Sequence, residues 1–172
     1  GDAFFIDVAG GFQTYTLDYF DEGTSDPTVT SYTVMIGGGM NFGAFYFNLG
    51  GNYGQNYGQY GAYNPNLAGV RAINNSGDFT GTEENDNTSY GVLGVLGFNM
   101  SDTWTFEAGA GYQQAEMDQG DSTDESVMQY YINAVWNIAP GFFVVPELGY
   151  ASYDYAGDAI ADKPSLLYVG AK

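Results

Sequence analysis

The sequence predicts an all-β fold, an antiparallel up-and-down transmembrane β-barrel with eight strands visible in this chain, and three observations carry that expectation. Apolar and polar residues alternate with a period of two in almost every segment between polar clusters, while no useful window shows a 3.6-residue apolar period. Large aromatics on the apolar face recur at a fixed interval of eight residues. The connections between alternating segments are by turns tight and long.

The strands follow in order. Residues 3–20 place Phe4, Ile6, Val8 and Phe12 on one face and Asp7 on the other. Residues 28–41 carry Tyr32 and lead through the tight turn "NFG" into residues 44–54. There, "AFYFNLGGNY" puts Phe45, Phe47, Leu49 and Tyr53 on one face and Tyr46, Asn48 and Asn52 on the other. Residues 88–99 repeat the pattern with Tyr90, Val92, Leu96 and Phe98, turn at "MSDT", and continue in residues 103–115 with Trp104, Phe106, Ala108, Ala110 and Tyr112. Residues 127–138 contain Asn133 and Trp136, and "APG" turns them into residues 142–153, which bear Phe142, Val144, Pro146, Leu148 and Tyr150. Pro146 cannot donate to a ladder, so a bulge is expected there. Residues 165–172 close the series. The long connections, including the whole segment 55–87, carry most of the acidic residues. Tight turns at one end and long polar loops at the other describe a meander with unequal ends.

The aromatic spacing acts as a ruler. Phe4 and Phe12, Phe45 and Tyr53, Tyr90 and Phe98, Trp104 and Tyr112, and Phe142 and Tyr150 are each eight residues apart. That interval rises roughly 26 Å along a strand and about 20 Å along a barrel axis at a tilt near 40°, close to the roughly 25 Å apolar band of a membrane barrel. Phe and Trp dominate near the tight turns (Phe4, Phe45, Phe98, Trp104, Trp136, Phe142) and Tyr near the long loops. Amphipathic rings are most stable at head-group depth, so these residues form two girdles. The ring-bearing face is expected to meet lipid, and the Gly, Asn, Gln, Thr and Tyr of the other face to meet water. Alternation alone also fits a soluble barrel with the apolar face inside. Bulky rings crowded at both mouths, with alanine and glycine between them, argue against that arrangement.

Composition narrows function. The chain has no Cys and no His, which removes thiol chemistry and the commonest general base and metal ligand. Three basic residues against 21 acidic ones give a net charge of −18, which repels nucleic acid. Apolar runs fall far short of the roughly 20 residues a spanning helix needs.

On these features the chain resembles a Gram-negative outer-membrane β-barrel. The resemblance covers the whole chain and is sharpest at "NMSDTWTFEAGAGYQ", similar to a periplasmic turn leading into a rising porin strand, and at "KPSLLYVGAK", which looks like the start of a porin's closing strand. It implies residence in the bacterial outer membrane. Residues 1–172 then form a single barrel domain, either a closed eight-stranded barrel resembling the OmpA transmembrane domain or the C-terminal portion of a larger porin. Barrel lipases, acyltransferases and proteases use a histidine in the site, so no enzymatic role is expected here.

Inward parity selects Asp7, Tyr46, Asn48, Glu107, Asn133, Glu147 and Lys172 as lumen-lining candidates. Asp7, Glu107, Glu147 and Lys172 are expected at one height, with Lys172 able to pair with Asp7 and Glu147 in a closed barrel. Such a cluster either satisfies itself and fixes register or lines a channel with excess negative charge. "DQGDSTDE" offers Asp118, Asp121, Asp124 and Glu125 as a weak Ca²⁺ or Mg²⁺ site, without EF-hand spacing and more simply a solvated acidic loop. No other cofactor is expected. The partners expected are outer-membrane lipid, lipopolysaccharide bridged by divalent cations, and small hydrophilic solutes or ions; oligomeric state is not legible.

Three functions fit these expectations. One is a porin-like barrel passing small hydrophilic solutes with a preference for cations. Another is a closed structural or adhesive barrel acting through its acidic loops, and the third is a soluble lipocalin-like cup.

Overall fold

A computed structural model describes residues 3–16, 28–56, 78–80, 83–117, 125–154 and 163–171. It contains β1 (Ala3–Thr16), β2 (Thr28–Phe42), β3 (Phe45–Gln55), β4 (Asp78–Thr80), β5 (Glu83–Asn85), β6 (Asn87–Asn99), β7 (Trp104–Met117), β8 (Glu125–Ala139), β9 (Phe142–Val144), β10 (Pro146–Asp154) and β11 (Ser165–Ala171). One nine-stranded sheet runs β1-β2-β3-β6-β7-β8-β10-β11, with β9 paired to β8. Every pairing in it is antiparallel and, apart from the separate β4 and β5 and the short β9, joins strands that follow one another along the chain, as an up-and-down meander requires. Among the described residues β1 and β11 are the two ends of this path. Inside the segment 55–87, read from sequence as a loop, β4 and β5 form a small separate hairpin.

The tight turns fall where the sequence puts them, and their geometry explains the residues. Gly43 follows β2 with φ 64°, and Gly141 links β8 to β9 with φ 79°, a left-handed backbone that costs any residue with a Cβ. Between β6 and β7, Ser101 Oγ accepts from the backbone N–H of Trp104 at 3.1 Å and of Thr103 at 3.3 Å, while Met100 N–H donates to Trp104 O at 3.0 Å. At the opposite end of β3, Asn56 has φ 50° and clasps the start of β6. Its N–H donates to Asn87 O and its Oδ1 accepts from Asn87 N–H, both at 2.8 Å, while its Nδ2 reaches Asp86 Oδ1 at 2.6 Å and Thr30 O at 3.1 Å.

Pro146 does not produce the expected bulge. The strand is interrupted at Val145, yet the pairing of β9 and β10 with β8 keeps one register on either side, Trp136 with Val144 and Asn133 with Glu147. A missing N–H removes a rung without inserting a residue. The register shift lies instead between Asn137 and Ala139, next to the Gly141 turn.

The ring-bearing face is the outer one. Phe47, Leu49, Val92 and Leu148 are 40%, 50%, 49% and 42% exposed, so they do not pack into an enclosed centre. A soluble cup with this face inside is thereby excluded. Both girdles appear as ring ladders. Near the tight turns Phe42 stacks on Phe45 and Phe45 meets Phe98 at 4.8 Å, while the Trp104 and Trp136 rings lie 5.3 Å apart with planes 4° from parallel. Near the long loops Tyr32 meets Tyr53 at 6.4 Å and Tyr90 meets Tyr112 at 6.3 Å. The Tyr90 and Tyr112 hydroxyls both donate to Gln114 Oε1, at 2.7 and 2.6 Å, which supplies the polar partners a head-group ring needs. Between the belts, small side chains at Ala108, Ala134 and Pro146 leave an apolar depression of about 630 Å³ beside Phe98, Phe106 and Leu148.

The inner face is not uniform. Its polar stretch lies toward the tight turns, whereas toward the long loops Ala115, Val127, Ala151 and Tyr153 form a small buried core. Val29, Ser31 and Ser89 are also fully buried. Parity alone had averaged these two halves into one amide-rich wall.

Candidate functional site on the inner wall

Glycine sets the geometry of the inner wall. Four inward aromatic residues stand directly opposite glycines on neighbouring strands: Phe5 faces Gly39, Tyr46 faces Gly97, Tyr131 faces Gly109 and Tyr168 faces Gly149. In each pair a Cβ on the glycine would overlap the facing ring. The rings therefore lie along the wall, in the space a neighbouring side chain would fill, and do not project across the interior.

This arrangement brings two carboxylates into one polar cluster. A single row of cross-strand partners runs Tyr46, Gly97, Glu107, Asn133, Glu147 and Gly170 across β3, β6, β7, β8, β10 and β11. The Tyr46 hydroxyl donates to Glu107 Oε1, and Asn133 Nδ2 donates to Glu107 Oε2 at 3.0 Å. The Tyr168 hydroxyl donates to Glu147 Oε1 at 3.1 Å and accepts from Gln129 Nε2 at 2.8 Å. Tyr131 lies within electrostatic reach of both glutamates and of Tyr168. Each carboxylate is only partly removed from water and is held by hydroxyl or amide donors, with no ion pair to either among the described residues. A half-buried carboxylate so held stays available to a mobile cation.

The sequence-derived candidates sort accordingly. Tyr46, Glu107, Asn133 and Glu147 come together in the cluster. Asn48 also faces inward, its amide occupying the space above Gly39. Asp7 is exposed on β1 and belongs to a different row, opposite Gly37. Lys172 lies outside the described residues, so its pairing with Asp7 and Glu147 does too. Asp118, Asp121 and Asp124 also lie outside the described residues. Glu125, grouped with them as part of a solvated loop, is instead the first residue of β8; it pairs with Ala115, shares the inward parity of Asn133 and is 7% exposed. Among the described residues no group of three or more His, Cys, Asp or Glu side chains is arranged to hold a metal. Lys163 pairs with Asp154 beside the last long connection.

The residues that sequence reasoning missed are Gln129, Tyr131 and Tyr168. Gln129 and Tyr131 share the inward parity of Asn133, and Tyr168 stands opposite the inward Gly149; tyrosine opposite glycine at inward positions is the signal that finds the two tyrosines.

No protein-family model matches the chain, and no curated protein matches its sequence. Solved structures with a similar strand arrangement include the outer-membrane expressed OmpT of Vibrio cholerae, at 16% identity and a TM-score of 0.49 over 96% of this chain and 51% of that one. The in-vitro folded OmpT of the same organism is similar at 14% identity and a TM-score of 0.45, over 96% of this chain and 50% of that one. Ail, the attachment invasion locus protein of Yersinia pestis, solved with the heparin analogue sucrose octasulfate, is similar at 14% identity and a TM-score of 0.31, over 99% of this chain and 95% of that one. The chain thus spans about half the length of the OmpT structures. An outward apolar band between two aromatic belts, backed by a polar wall in one antiparallel meander, is the arrangement that the wall of an up-and-down transmembrane β-barrel requires.

Proposed function

We propose that the chain forms the wall of a diffusion pore that passes small hydrophilic solutes and favours cations. One observation carries this reading: the inward rings of Tyr46, Tyr131 and Tyr168 lie over glycines, leaving Glu107 and Glu147 to line the wall. Among the described residues that wall bears no Lys or Arg. Acidic groups without basic counterparts raise the local concentration of cations and lower that of anions. The reading is non-catalytic, in keeping with a chain that has no His and no Cys. Its long connections are acidic, and beside lipopolysaccharide phosphates they would favour bridging divalent cations. Reconstitution in planar bilayers is the test: stepwise conductance with a cation-directed reversal potential in a KCl gradient is expected, and a folded but silent protein would refute the pore.

A second reading is a structural or adhesive barrel acting through its loops. It draws support from the inner face near the long loops, where Val29 and Ala151 are 0% exposed and Tyr153 1%. A wall buried there is compatible with a blocked mouth. Absent conductance, together with surface binding lost on trimming the loops, would favour it.

A further inference from the structure

We propose that Glu147, more than Glu107, sets the ion preference of this pore; the inference rests on the pore reading above. The two carboxylates flank Asn133 in the same cross-strand row and differ in how much of their acceptor capacity the protein uses. Both Glu107 oxygens are taken, Oε1 by the Tyr46 hydroxyl and Oε2 by Asn133 Nδ2 at 3.0 Å. That carboxylate ties β3, β7 and β8 together. Glu147 is bound at one oxygen, Oε1, by the Tyr168 hydroxyl at 3.1 Å, a long bond from a donor that Gln129 Nε2 holds from its other side. Its Oε2 has no protein donor among the described residues. An ionised carboxylate accepts at both oxygens, so the second oxygen of Glu147 takes its partners from the lumen.

Asn133 gives its Nδ2 to Glu107, and its Oδ1 is buried without a hydrogen-bond partner among the described residues. The row therefore offers an undonated carboxylate oxygen at Glu147, whereas each Glu107 oxygen already accepts one donor; the buried Asn133 Oδ1 adds nothing a passing ion can reach. A cation passing this row can bind directly at the undonated Glu147 oxygen, whereas Glu107, with a donor on each oxygen, acts on it chiefly through its charge. Glu107 is a positioning residue: it holds Tyr46 against Gly97 and Asn133 in its rotamer.

The experiment measures reversal potentials of the full chain in planar bilayers under a KCl gradient, for the unmodified protein, Glu147→Gln, Glu147→Lys and Glu107→Gln. At about 8 Å in water-like surroundings one charge acts on a passing ion with an energy on the order of RT, favouring the cation and opposing the anion. Glu147→Gln should therefore lower the cation-to-anion permeability ratio roughly three- to sixfold. Glu147→Lys should turn the preference toward anions. Glu107→Gln removes an equal charge and should lower the ratio too, but by less than Glu147→Gln, and unlike it should also lower the urea midpoint of unfolding. Tyr168→Phe, which frees Glu147 Oε1 and removes no charge, should keep or raise the ratio. An equal or larger loss of selectivity in Glu107→Gln, or none in Glu147→Gln and Glu147→Lys, overturns the assignment and leaves the pore intact. Folded protein that conducts in none of these forms overturns the pore reading and the assignment with it.

Discussion

Gly97→Ala tests the inner wall most directly. Gly97 is hydrogen-bonded into ladders on both sides, opposite Tyr46 and Glu107, so its backbone is not free to retreat. An added methyl would fall within the Tyr46 ring, and the ring has to yield. If the ring stays and strains, the cost is that of overpacking, about 1–3 kcal/mol. If it swings away, it forfeits the hydrogen bond to Glu107, worth about 1.5–3 kcal/mol because the acceptor is charged. The cheaper route sets the outcome, so the loss should be about 2 kcal/mol. In a Tyr46→Ala background the methyl displaces nothing, and replacing glycine there should be neutral or stabilising by about 0.4–1 kcal/mol through the unfolded chain. Urea unfolding in lipid vesicles, followed by the fluorescence of Trp104 and Trp136, gives all four corners of the double-mutant cycle. Equal losses in both backgrounds, to within about 0.5 kcal/mol, would show that ring and glycine are not coupled.

Three further outcomes follow from the same geometry. Leu49→Arg, midway between the girdles on the outer face, should cost about 2–4 kcal/mol of folding into vesicles, and Asn48→Arg on the inner face far less; the reverse order would mean the faces are misassigned. Gly141→Ala forces a Cβ into a left-handed turn and should lower stability by about 1–2 kcal/mol, with Gly141→Asn milder, both read from urea midpoints. Lipids brominated near the head group should quench Trp104 and Trp136 more strongly than lipids brominated at the chain end, and protection from both would remove the lower girdle from the bilayer.

The meander was legible because its signals are local. Period-two alternation, turn glycines and the eight-residue aromatic interval each lie within one hairpin, and the observed strands fall within a few residues of the expected ones. The composition of the cluster was half legible. Parity alone places Glu107, Asn133 and Glu147 on one face, but which of them stand side by side depends on register across the connection 118–124, which no local rule fixes. The buried patch of Val127, Ala151 and Tyr153 was missed for a different reason: each has the parity of a polar neighbour, and only depth along the strand separates them. Pro146 misled because a residue unable to donate was expected to slip the register. In the sheet it deletes a rung, and the slip occurs at Asn137 and Ala139, where a turn can absorb it.

The joint enrichment in glycine and aromatics has one physical cause on each face. Outside, rings are needed at two depths and small residues between them suffice, because lipid fills what side chains leave empty. Inside, a closed interior of eight strands would be just filled by side chains pointing inward, and each ring would then compete with water for the same volume. Laying a tyrosine over a glycine resolves that competition. The ring buries one face on bare backbone, and the Tyr46 and Tyr168 hydroxyls still reach Glu107 and Glu147; on the pore reading the centre is then left to solvent and ions. Restoring side chains at Gly97, Gly109 and Gly149 would lift Tyr46, Tyr131 and Tyr168 off the wall together. The first property to suffer should be conductance, since the displaced rings have nowhere to go but the lumen.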